Sequence, residues 1–394
     1  MAVLSVNVGS SSIKFSLYAI DQQGLGPQLA NGEISGLQPG GTPFWRWQSG
    51  EESAAAPMPA GEIADPHEAA LHTLQRFLHE RFAGETLRVI AHRVVHGGSH
   101  FRHSVRVDDA VMKQLSDLIP LVPLHQPHNL AGIRLFQAAY PDVPQVACFD
   151  TAFHASLSPL ETTFAIPAAE TERGIRRYGF HGLSYQFVSQ TMMQVSERAH
   201  GKMLILHLGS GSSLCATVNG QSRAMSMGFT AVDGMMMGSR CGYLDAGVVL
   251  HWLRSGKTID EVDKLINKQS GLLGVSGISA DMRTLRQSRE AQAQFACDLY
   301  AYKAVREAGA LIACMGGLDV LVFTAGIGEH DAVLREQVCT GLAYMGVAIN
   351  PTANQQSNNA NARAIHAPSS RAEVWVCPTD EGRNAAEQAL TLLD

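Results

Sequence analysis

Five charged or histidine side chains in this sequence follow apolar runs, in surroundings rich in glycine and proline. They are Arg93, His125, Asp150, His181 and Arg240. The carboxyl ends of strands line the ligand crevice of an open α/β sheet, and a guanidinium there can bind a carboxylate or a phosphate through two parallel hydrogen bonds. A single histidine or arginine beside glycine or proline more often stabilises a loop, so the argument depends on all five. Together they indicate a site for anions.

Two segments about 200 residues apart share a second pattern. Residues 6–13 and residues 206–214 each contain an apolar run, a tip of glycine and serine, and a second run with strand character. Each segment predicts a β-hairpin whose tip brings N–H and O–H groups close to phosphate oxygens. The repetition predicts a duplicated domain, with the phosphate tail of a nucleotide held in the cleft between the two copies.

A third glycine-rich stretch, residues 324–329, predicts a strand end, a turn and the start of a helix, where anions are favoured. Residues 255–258 resemble the end of a Walker A loop. However, His251 occupies the position of the first glycine of that motif, and no apolar strand precedes it. Both departures argue against a P-loop enzyme.

Oxygen ligands are the metal-binding groups that this sequence offers. Its histidines and cysteines lack the spacing of a zinc site. Mg²⁺ prefers a few carboxylate or amide oxygens, completed by phosphates and water. The candidate suppliers of such oxygens are Asn7, Asp150 and Glu381.

The composition is that of a globular protein with a sizeable core. The 394 residues are 45% hydrophobic and 17% charged, with a net charge of −6. The absence of a lysine-rich block argues against nucleic acid and anionic membranes as partners. The seven cysteines are scattered and form no CxxC pair, and the first residues lack a basic leader segment. These features predict a cytoplasmic protein with reduced thiols.

Periodicity predicts alternating strands and helices in both halves of the chain. Paired strands are expected at residues 3–7 and 14–20, and an irregular region at 22–63 with one strand at 44–47. Further strands are expected at residues 89–91, 143–149, 203–208, 214–218 and 320–324, and helices at 67–81, 108–118, 129–139 and 381–393. This order favours an α/β fold with mixed sheets.

Several motifs resemble those of the acetokinase family, which includes acetate and propionate kinases. The matching segments are residues 6–15 (VNVGSSSIKF), 92–98 (HRVVHGG), 149–154 (FDTAFH), 177–184 (RYGFHGLS), 226–230 (SMGFT) and 270–274 (SGLLG). The resemblance implies two duplicated ribonuclease H-like domains of the sugar-kinase, heat-shock ATPase and actin superfamily, with ATP in the cleft between them. The implied domains are residues 1–149 completed by helix 382–394, and residues 150–381. A homodimer is also implied.

The resemblance further implies roles for individual residues. Catalytic roles are implied for Arg93, Asp150, His181 and Arg240. A nucleotide site is implied at Ser12, Lys14, His207, Gly209, Ser210, Gly211, Asp281, Met282, Arg283, Gly326, Ile327 and Gly328. Asn7 and Glu381 are the implied ligands of Mg²⁺ or Mn²⁺. The implied pocket for the alkyl group of a short-chain acid contains Arg93, Val95, Leu124, His125, Phe180 and Ala231.

The implied reaction is phosphorylation of a short-chain carboxylate by ATP. A carboxylate is already ionised at neutral pH and needs no general base. Two arginines, a histidine and a divalent cation suit the neutralisation of a phosphoryl group during direct in-line transfer.

This chain departs from the usual family residues at several positions. Ser210 replaces Asn, Ala325 replaces Gly, His330 replaces Asn, Tyr243 replaces Asp, Ala246 replaces Pro, and Gly382 replaces the second acid of a Glu-Glu pair. Ser210 and Tyr243 are expected to affect nucleotide affinity or donor preference. Ala231 stands where acetate kinases usually have proline, which predicts a larger pocket and use of propionate.

Three other functions remain open at this stage. A sugar or polyol kinase of the same superfamily would use Asp150 as a base and leave the arginine pair without a carboxylate to bind. A nucleotide-gated clamp, such as a heat-shock ATPase or an actin-like filament protein, would need a partner-binding segment. An ATP-binding protein without turnover would fit the departures above.

Overall fold

The protein divides into two compact units. The computed structural model describes residues 1–38, 40–58, 65–123, 125–356 and 361–393. Unit 1 consists of Met1–Ala152 and Asp380–Asp394, and unit 2 of Phe153–Thr379. The expected ribonuclease H-like domain boundaries at residues 149 and 381 stay a prediction.

Unit 1 contains a mixed sheet in the order β5-β4-β3-β2-β1-β6-β8-β7. Its strands are β1 Ala2–Val8, β2 Ser12–Asp21, β3 Gly24–Ser35, β4 Phe44–Ser49, β5 Glu52–Pro57, β6 Leu87–Val94, β7 Val105–Arg106 and β8 Gln145–Phe149. The first hairpin pairs β1 with β2 antiparallel, as predicted, while β6 and β8 run parallel to β1. The carboxyl ends of β1, β6 and β8 therefore meet at one edge of the sheet.

Strand β3 corrects the expectation of an irregular region at residues 22–63. It pairs with β2 over most of its length and buries Ala30 and Ile34. Its glycine, proline and glutamine have low strand propensity. That preference is weak beside the packing of a strand against its neighbours, so the composition was misleading.

Four α-helices accompany this sheet in the described residues of unit 1. They are α1 Pro66–Arg81, α2 Asp109–Asp117, α3 Gln126–Ala139 and α15 Glu381–Thr391. Helix α1 begins where the Asp65 carboxylate caps it by accepting from the N–H groups of His67 and Glu68. Helix α15 is joined to the sheet through the Cys148 thiol, which donates to the carbonyl of Ala385 at 3.5 Å.

Unit 2 repeats the strand order of unit 1. Its strands are β9 Lys202–Leu208, β10 Ser212–Val218, β11 Gln221–Met225, β12 Val320–Thr324, β13 Arg363–Ala364 and β14 Glu373–Val376. The order β11-β10-β9-β12-β14 has the same directions as β3-β2-β1-β6-β8: two antiparallel pairings followed by two parallel ones. The predicted duplication is confirmed at the level of the sheets.

The helices of unit 2 surround a core of Leu, Ala and Met side chains. They are α4 Pro159–Thr162, α5 Ala168–Glu172, α6 Gly182–Val195, α7 Ala246–Arg254, α8 Ile259–Lys268, α9 Gly271–Ser276, α10 Met282–Gln287, α11 Ala291–Met315, α12 Ala325–His330, α13 Ala332–Gly341 and α14 Pro351–Gln355. Short 3₁₀ helices occur at Ile119–Leu121, Ala152–Ser156, Glu197–His200 and Ala343–Met345. In the parts of the chain described above, none of the helices combines the length and apolar character that a membrane crossing requires.

The segment after β12 corrects a second expectation. Helix α12 begins immediately after Thr324, with no intervening glycine turn. The sharp change of direction is made by Ala325, whose φ of +63° lies in the left-handed region that favours glycine. The glycines of this segment therefore lie within the helix.

Candidate active site

In unit 1, Arg93 is the centre of a cluster of oxygen-bearing side chains. Arg93 lies near the end of β6, and Asp150 directly follows the neighbouring strand β8. The Arg93 Nε and Nη2 atoms donate to the two Asp150 carboxylate oxygens at 3.0 and 2.6 Å. Its Nη1 donates to the Asn7 amide oxygen at 3.3 Å, and the Glu381 carboxylate lies 3.7 Å from Nε. Four residues that the sequence predicted to act together are thus in contact.

The electrostatics keep this arginine charged and fixed. Burial works to lower the pKa of Arg93, but the charges of Asp150 and Glu381 outweigh it, and the pKa is raised above its usual value. The Asp150 side chain is only 1% exposed, and both of its oxygens accept from the guanidinium. A bidentate ion pair of this kind fixes the orientation of the guanidinium and of the carboxylate.

The oxygens around Arg93 fit a magnesium ion that takes most of its ligands from elsewhere. Asn7 supplies an amide oxygen, and Asp150 and Glu381 supply carboxylates. Within the described ranges, no group of three or more His, Cys, Asp or Glu side chains could hold a metal ion. Mg²⁺ usually keeps several waters and is bound through one or two carboxylates plus substrate phosphates, so a sparse protein set is the one expected for it.

The other predicted residues of unit 1 lie on neighbouring elements. Lys14 and Ser12 are on β2, where Lys14 faces Asn7 across the hairpin and its Nζ lies 3.9 Å from Glu33. The Val95 N–H donates to Asn129. His125 is the N-cap residue of α3. Leu124 lies outside the described residues.

In unit 2, two histidines stack at the head of the second hairpin. The rings of His181 and His207 are 4.2 Å apart and nearly parallel. Nδ1 of His181 lies 2.8 Å from the Ser213 hydroxyl, and Nδ1 of His207 lies 2.8 Å from the Ser184 hydroxyl. His181 precedes α6 with a φ of +57°, a conformation that non-glycine residues adopt rarely and that is concentrated at functional sites.

The tip of this hairpin lies against the same histidine and against Arg240. A Cβ placed on Gly211 would be 3.3 Å from Nε2 of His181 and 4.0 Å from Nη1 of Arg240. The Ser210 carbonyl accepts from the N–H of Gly238, which fixes the tip to the Arg240 segment. Because Gly211 has no side chain, Nε2 of His181 and Nη1 of Arg240 face the backbone of the hairpin tip directly.

The remaining predicted nucleotide residues lie on α12, whose start borders the same tip, and at the start of α10. A Cβ on Gly209 would lie 3.7 Å from the Cβ of Ala325, at the start of α12, which carries Gly326, Ile327 and Gly328. At the start of α10, the exposed Arg283 side chain pairs with Asp281. Met282 is buried in the core, with 3% of its surface exposed.

Two of the residues that the family resemblance implies for an apolar pocket belong to unit 2. Phe180 is 1% exposed, and its carbonyl accepts from Nε2 of His154. Ala231 is partly exposed, and its carbonyl accepts from Nη1 of Arg240 at 3.1 Å. Ala231 and Arg240 are therefore directly joined.

The chain resembles known proteins over its whole length. The model of the acetokinase family matches residues 2–387. This chain belongs to that family. Acetate kinase of Rhodopseudomonas palustris (strain ATCC BAA-98 / CGA009) is 43% identical over 398 residues, which cover 100% of this chain and 98% of the relative. Acetate kinase of Rickettsia prowazekii (strain Madrid E) is 40% identical over 395 residues, covering 99% of both chains.

Solved acetokinase structures share the fold. A propionate kinase from Francisella tularensis subsp. tularensis SCHU S4 superposes with a TM-score of 0.90 at 31% identity, covering 99% of both chains. The acetate kinase of Porphyromonas gingivalis gives a TM-score of 0.88 at 33% identity, covering 100% of both. The expected α/β fold class and the expectation of a kinase with a carboxyl acceptor and ATP as donor are confirmed.

Sequence reasoning missed several residues that support the acetokinase site. The fully buried Arg335 donates from Nη1 to the carbonyls of Gly328 and Glu329 at 2.9 and 2.7 Å, and so holds α12. Arg177 donates to three successive carbonyls from Met225 to Met227. Nothing in the spacing of either arginine signals these contacts, because their partners are backbone atoms of other segments.

Proposed function

We propose that this chain catalyses the reversible transfer of the γ-phosphoryl group of ATP to a short-chain carboxylate, forming an acyl phosphate and ADP. The observation that carries the proposal is the bidentate Arg93–Asp150 pair at the carboxyl ends of β6 and β8, beside the Asn7 amide. It presents a fixed cation at the sheet edge where ligands bind in α/β proteins. Membership of the acetokinase family supports the same reaction.

The proposed mechanism is direct in-line transfer without a phosphoenzyme. The carboxylate acceptor attacks phosphorus, and the bond to the ADP oxygen breaks. The acceptor carries no proton to remove, so no base is needed. Arg93 and Arg240 neutralise negative charge on the acceptor and the phosphoryl oxygens, and His181 donates a hydrogen bond there. Asp150 orients Arg93 rather than taking a proton.

We propose that Asn7, Asp150 and Glu381 hold Mg²⁺, directly or through water. When bound, the ion supplies positive charge to the phosphate oxygens of ATP. Mn²⁺ prefers the same oxygen ligands and is expected to substitute for it.

The proposed acceptors are acetate and propionate. Val95, Phe180 and Ala231 are the proposed sources of apolar carbon for the alkyl group, together with Leu124 and His125, which the family resemblance implies. Ala231 supports the larger acid because its side chain is small. One methylene contributes only about 1–3 kcal/mol of discrimination, so both acids are expected to react.

The test is a hydroxamate assay with ATP, Mg²⁺ and hydroxylamine, comparing acetate, propionate and butyrate. Acyl hydroxamate from the two shorter acids, lost in Arg93→Ala, would support the proposal. ATP binding without product from any acid would overturn it. Phosphorylation of glucose or glycerol would instead indicate the sugar-kinase alternative. The match to the acetokinase family does not favour that alternative.

We further propose that the chain forms a homodimer in the cytoplasm. Helix α7 buries none of its residues, and Leu250 and Leu253 on it, with Ile259 at the start of α8, are 48%, 36% and 77% exposed. Exposed apolar side chains of this kind support a protein interface, and a second copy is the occupant that we propose. Leu250→Glu is expected to sediment as a monomer, whereas Leu160→Glu, an exposed leucine elsewhere, is expected to remain dimeric.

The free cysteine thiols support the proposal of a cytoplasmic location, because thiols stay reduced in a reducing compartment.

A further inference from the structure

Two hydroxyl groups form a hydrogen-bonded chain behind His181. The Ser213 hydroxyl lies 2.8 Å from Nδ1 of His181 and 2.5 Å from the Tyr185 hydroxyl. Ser213 and Tyr185 are both 0% exposed, and the Tyr185 ring packs against the rings of His154 and His207. Within the part of the chain that the structure describes, neither hydroxyl makes any other hydrogen bond.

The tyrosine fixes the direction of this chain. Burial raises the pKa of Tyr185 well above its usual value, so the phenol keeps its proton. Ser213 is the acceptor within reach of that proton. Once the Ser213 oxygen accepts from Tyr185, its own proton is directed to Nδ1 of His181, which must then be an unprotonated acceptor.

Any arrangement with a proton on Nδ1 leaves a buried donor unsatisfied. If Nδ1–H donates to Ser213, then either the Ser213 or the Tyr185 hydroxyl has no acceptor. The free-energy penalty for one unsatisfied buried donor favours the arrangement in which Nδ1 of His181 is unprotonated, by roughly five-fold or more. It applies equally to the Nδ1–H tautomer and to the doubly protonated ring.

We propose that Ser213, backed by Tyr185, holds His181 as a neutral imidazole with its proton on Nε2, and that both are positioning residues for this histidine. Nε2 is the atom that faces Gly211 at the tip of the second hairpin. The inference deepens the proposed function, on which its catalytic part rests, because it specifies that His181 acts as a neutral hydrogen-bond donor to the phosphoryl group. The protonation state itself does not depend on that function.

The neighbouring histidine follows the same rule. The buried Ser184 hydroxyl makes its hydrogen bond to Nδ1 of His207, so the proton of this ring is also directed to Nε2. Two positive rings stacked at 4.2 Å would repel each other. Two neutral rings avoid that repulsion and present two N–H donors side by side.

Nitrogen NMR of the full-length protein with ¹⁵N-labelled histidine rings tests the proposal directly. His181→Asn assigns the signals. Wild-type His181 is expected to show an unprotonated Nδ1 and a protonated Nε2 at neutral pH without substrates, and Ser213→Ala is expected to lose this single-tautomer signature. A wild-type ring with a proton on Nδ1, or on both nitrogens, would overturn the proposal, as would a wild-type signature in folded Ser213→Ala.

Two matched controls are available. Tyr300 makes an equivalent buried bond to Ser212, at 2.7 Å, on the same strand but not to His181, so Tyr300→Phe is expected to leave both His181 nitrogen signals in place. Ser184→Ala is expected to alter the His207 signals and not those of His181. Altered His181 nitrogens in Tyr300→Phe would indicate general loosening of the strand and count against the specific role.

Measurements of kcat and KM distinguish a positioning role of Ser213 from a general loss of folded protein. Ser213→Ala is expected to lower kcat about ten-fold to a hundred-fold while the KM values for ATP and the carboxylate change by less than about two-fold. Tyr185→Phe, which keeps the Ser213 donor, is expected to cause a smaller loss. Equal kcat in wild type and Ser213→Ala would overturn the positioning role, whereas an inactive wild type with the expected NMR signature would overturn only the proposed function.

Discussion

Arg240 and Ala231 are joined by a hydrogen bond from Nη1 of the guanidinium to the backbone carbonyl of the alanine, at 3.1 Å. One residue is the proposed phosphoryl-side cation, and the other is the proposed determinant of acid length. The bond uses a backbone oxygen, so the side chain at position 231 can change without removing it. Chain-length preference and phosphoryl transfer can therefore be altered separately.

Ala231→Pro is expected to shift preference towards acetate. Proline keeps the carbonyl that holds Arg240 but adds ring carbons to the pocket. The ratio of kcat/KM for propionate to that for acetate should fall by about ten-fold or more, the usual effect of one methylene. Initial rates in the hydroxamate assay measure it. An equal loss for both acids would contradict a role in the pocket.

Asp150→Asn is expected to lower kcat by about 10²–10³-fold, the usual effect of losing one preorganised electrostatic contact. Asparagine offers Arg93 one uncharged acceptor in place of two charged ones. The matched control is Glu170→Gln, which removes the exposed Arg173–Glu170 ion pair and is expected to leave kcat unchanged. Undiminished turnover by Asp150→Asn would contradict the orienting role.

Ala325→Gly is expected to stabilise the protein by about 1 kcal/mol. The left-handed φ of Ala325 strains an alanine but not a glycine. The opposite sign is expected for Ala310→Gly in the exposed middle of α11, which should lose about 0.5–1 kcal/mol. Denaturant unfolding measures both variants, and a loss of stability in Ala325→Gly would show that the strain is not relieved.

Glu307→Gln is expected to stabilise the protein at high pH only. Burial raises the pKa of Glu307 from 4.5 to about 7, opposed by Arg177 and assisted by the Asp233 and Glu161 carboxylates. Between these two values the folded state binds more protons than the unfolded state, so the free energy of unfolding falls as pH rises through this range. Glutamine stays neutral and removes that loss.

The Glu307→Gln gain should therefore appear above pH 7 and vanish below pH 4.5. Thermal unfolding across that range measures it. Glu336→Gln, at an exposed position of α13, is the control and is expected to give the wild-type pH profile. A gain that is equal at both ends of the range would contradict the proposed cause.

Turn and capping residues in the sequence correctly predicted the elements that are formed by interactions between residues close in the chain. The two hairpins and helix α1 carry their own turn or capping residues, and the structure has them where the sequence predicted them. Strand β3 exists because β2 and β4 lie on either side of it, and no short window of sequence contains that information. The start of α12 was missed because Ala325 adopts a conformation that its residue type disfavours.

The sequence could predict candidate site residues that are recognisable by their chemical type. It could not predict residues whose role depends on how the elements pack. The sequence singled out Arg93, Asp150 and Asn7 by type and position, and the structure joins them. Ser213 and Tyr185 are ordinary strand and helix residues in the sequence. Their relation to His181 depends on the exact placement of β10 beside α6, which spacing does not fix.

The return of the chain to unit 1 has a consequence for biosynthesis. Helix α15, which carries Glu381 and packs through Ala385 against Cys148, leaves the ribosome after all of unit 2. The unit whose synthesis begins first is therefore completed last, and nascent chains must hold its sheet incompletely covered while the second unit folds. Premature termination directly after residue 379 would yield a second unit with all of its residues, joined to a first unit that lacks α15.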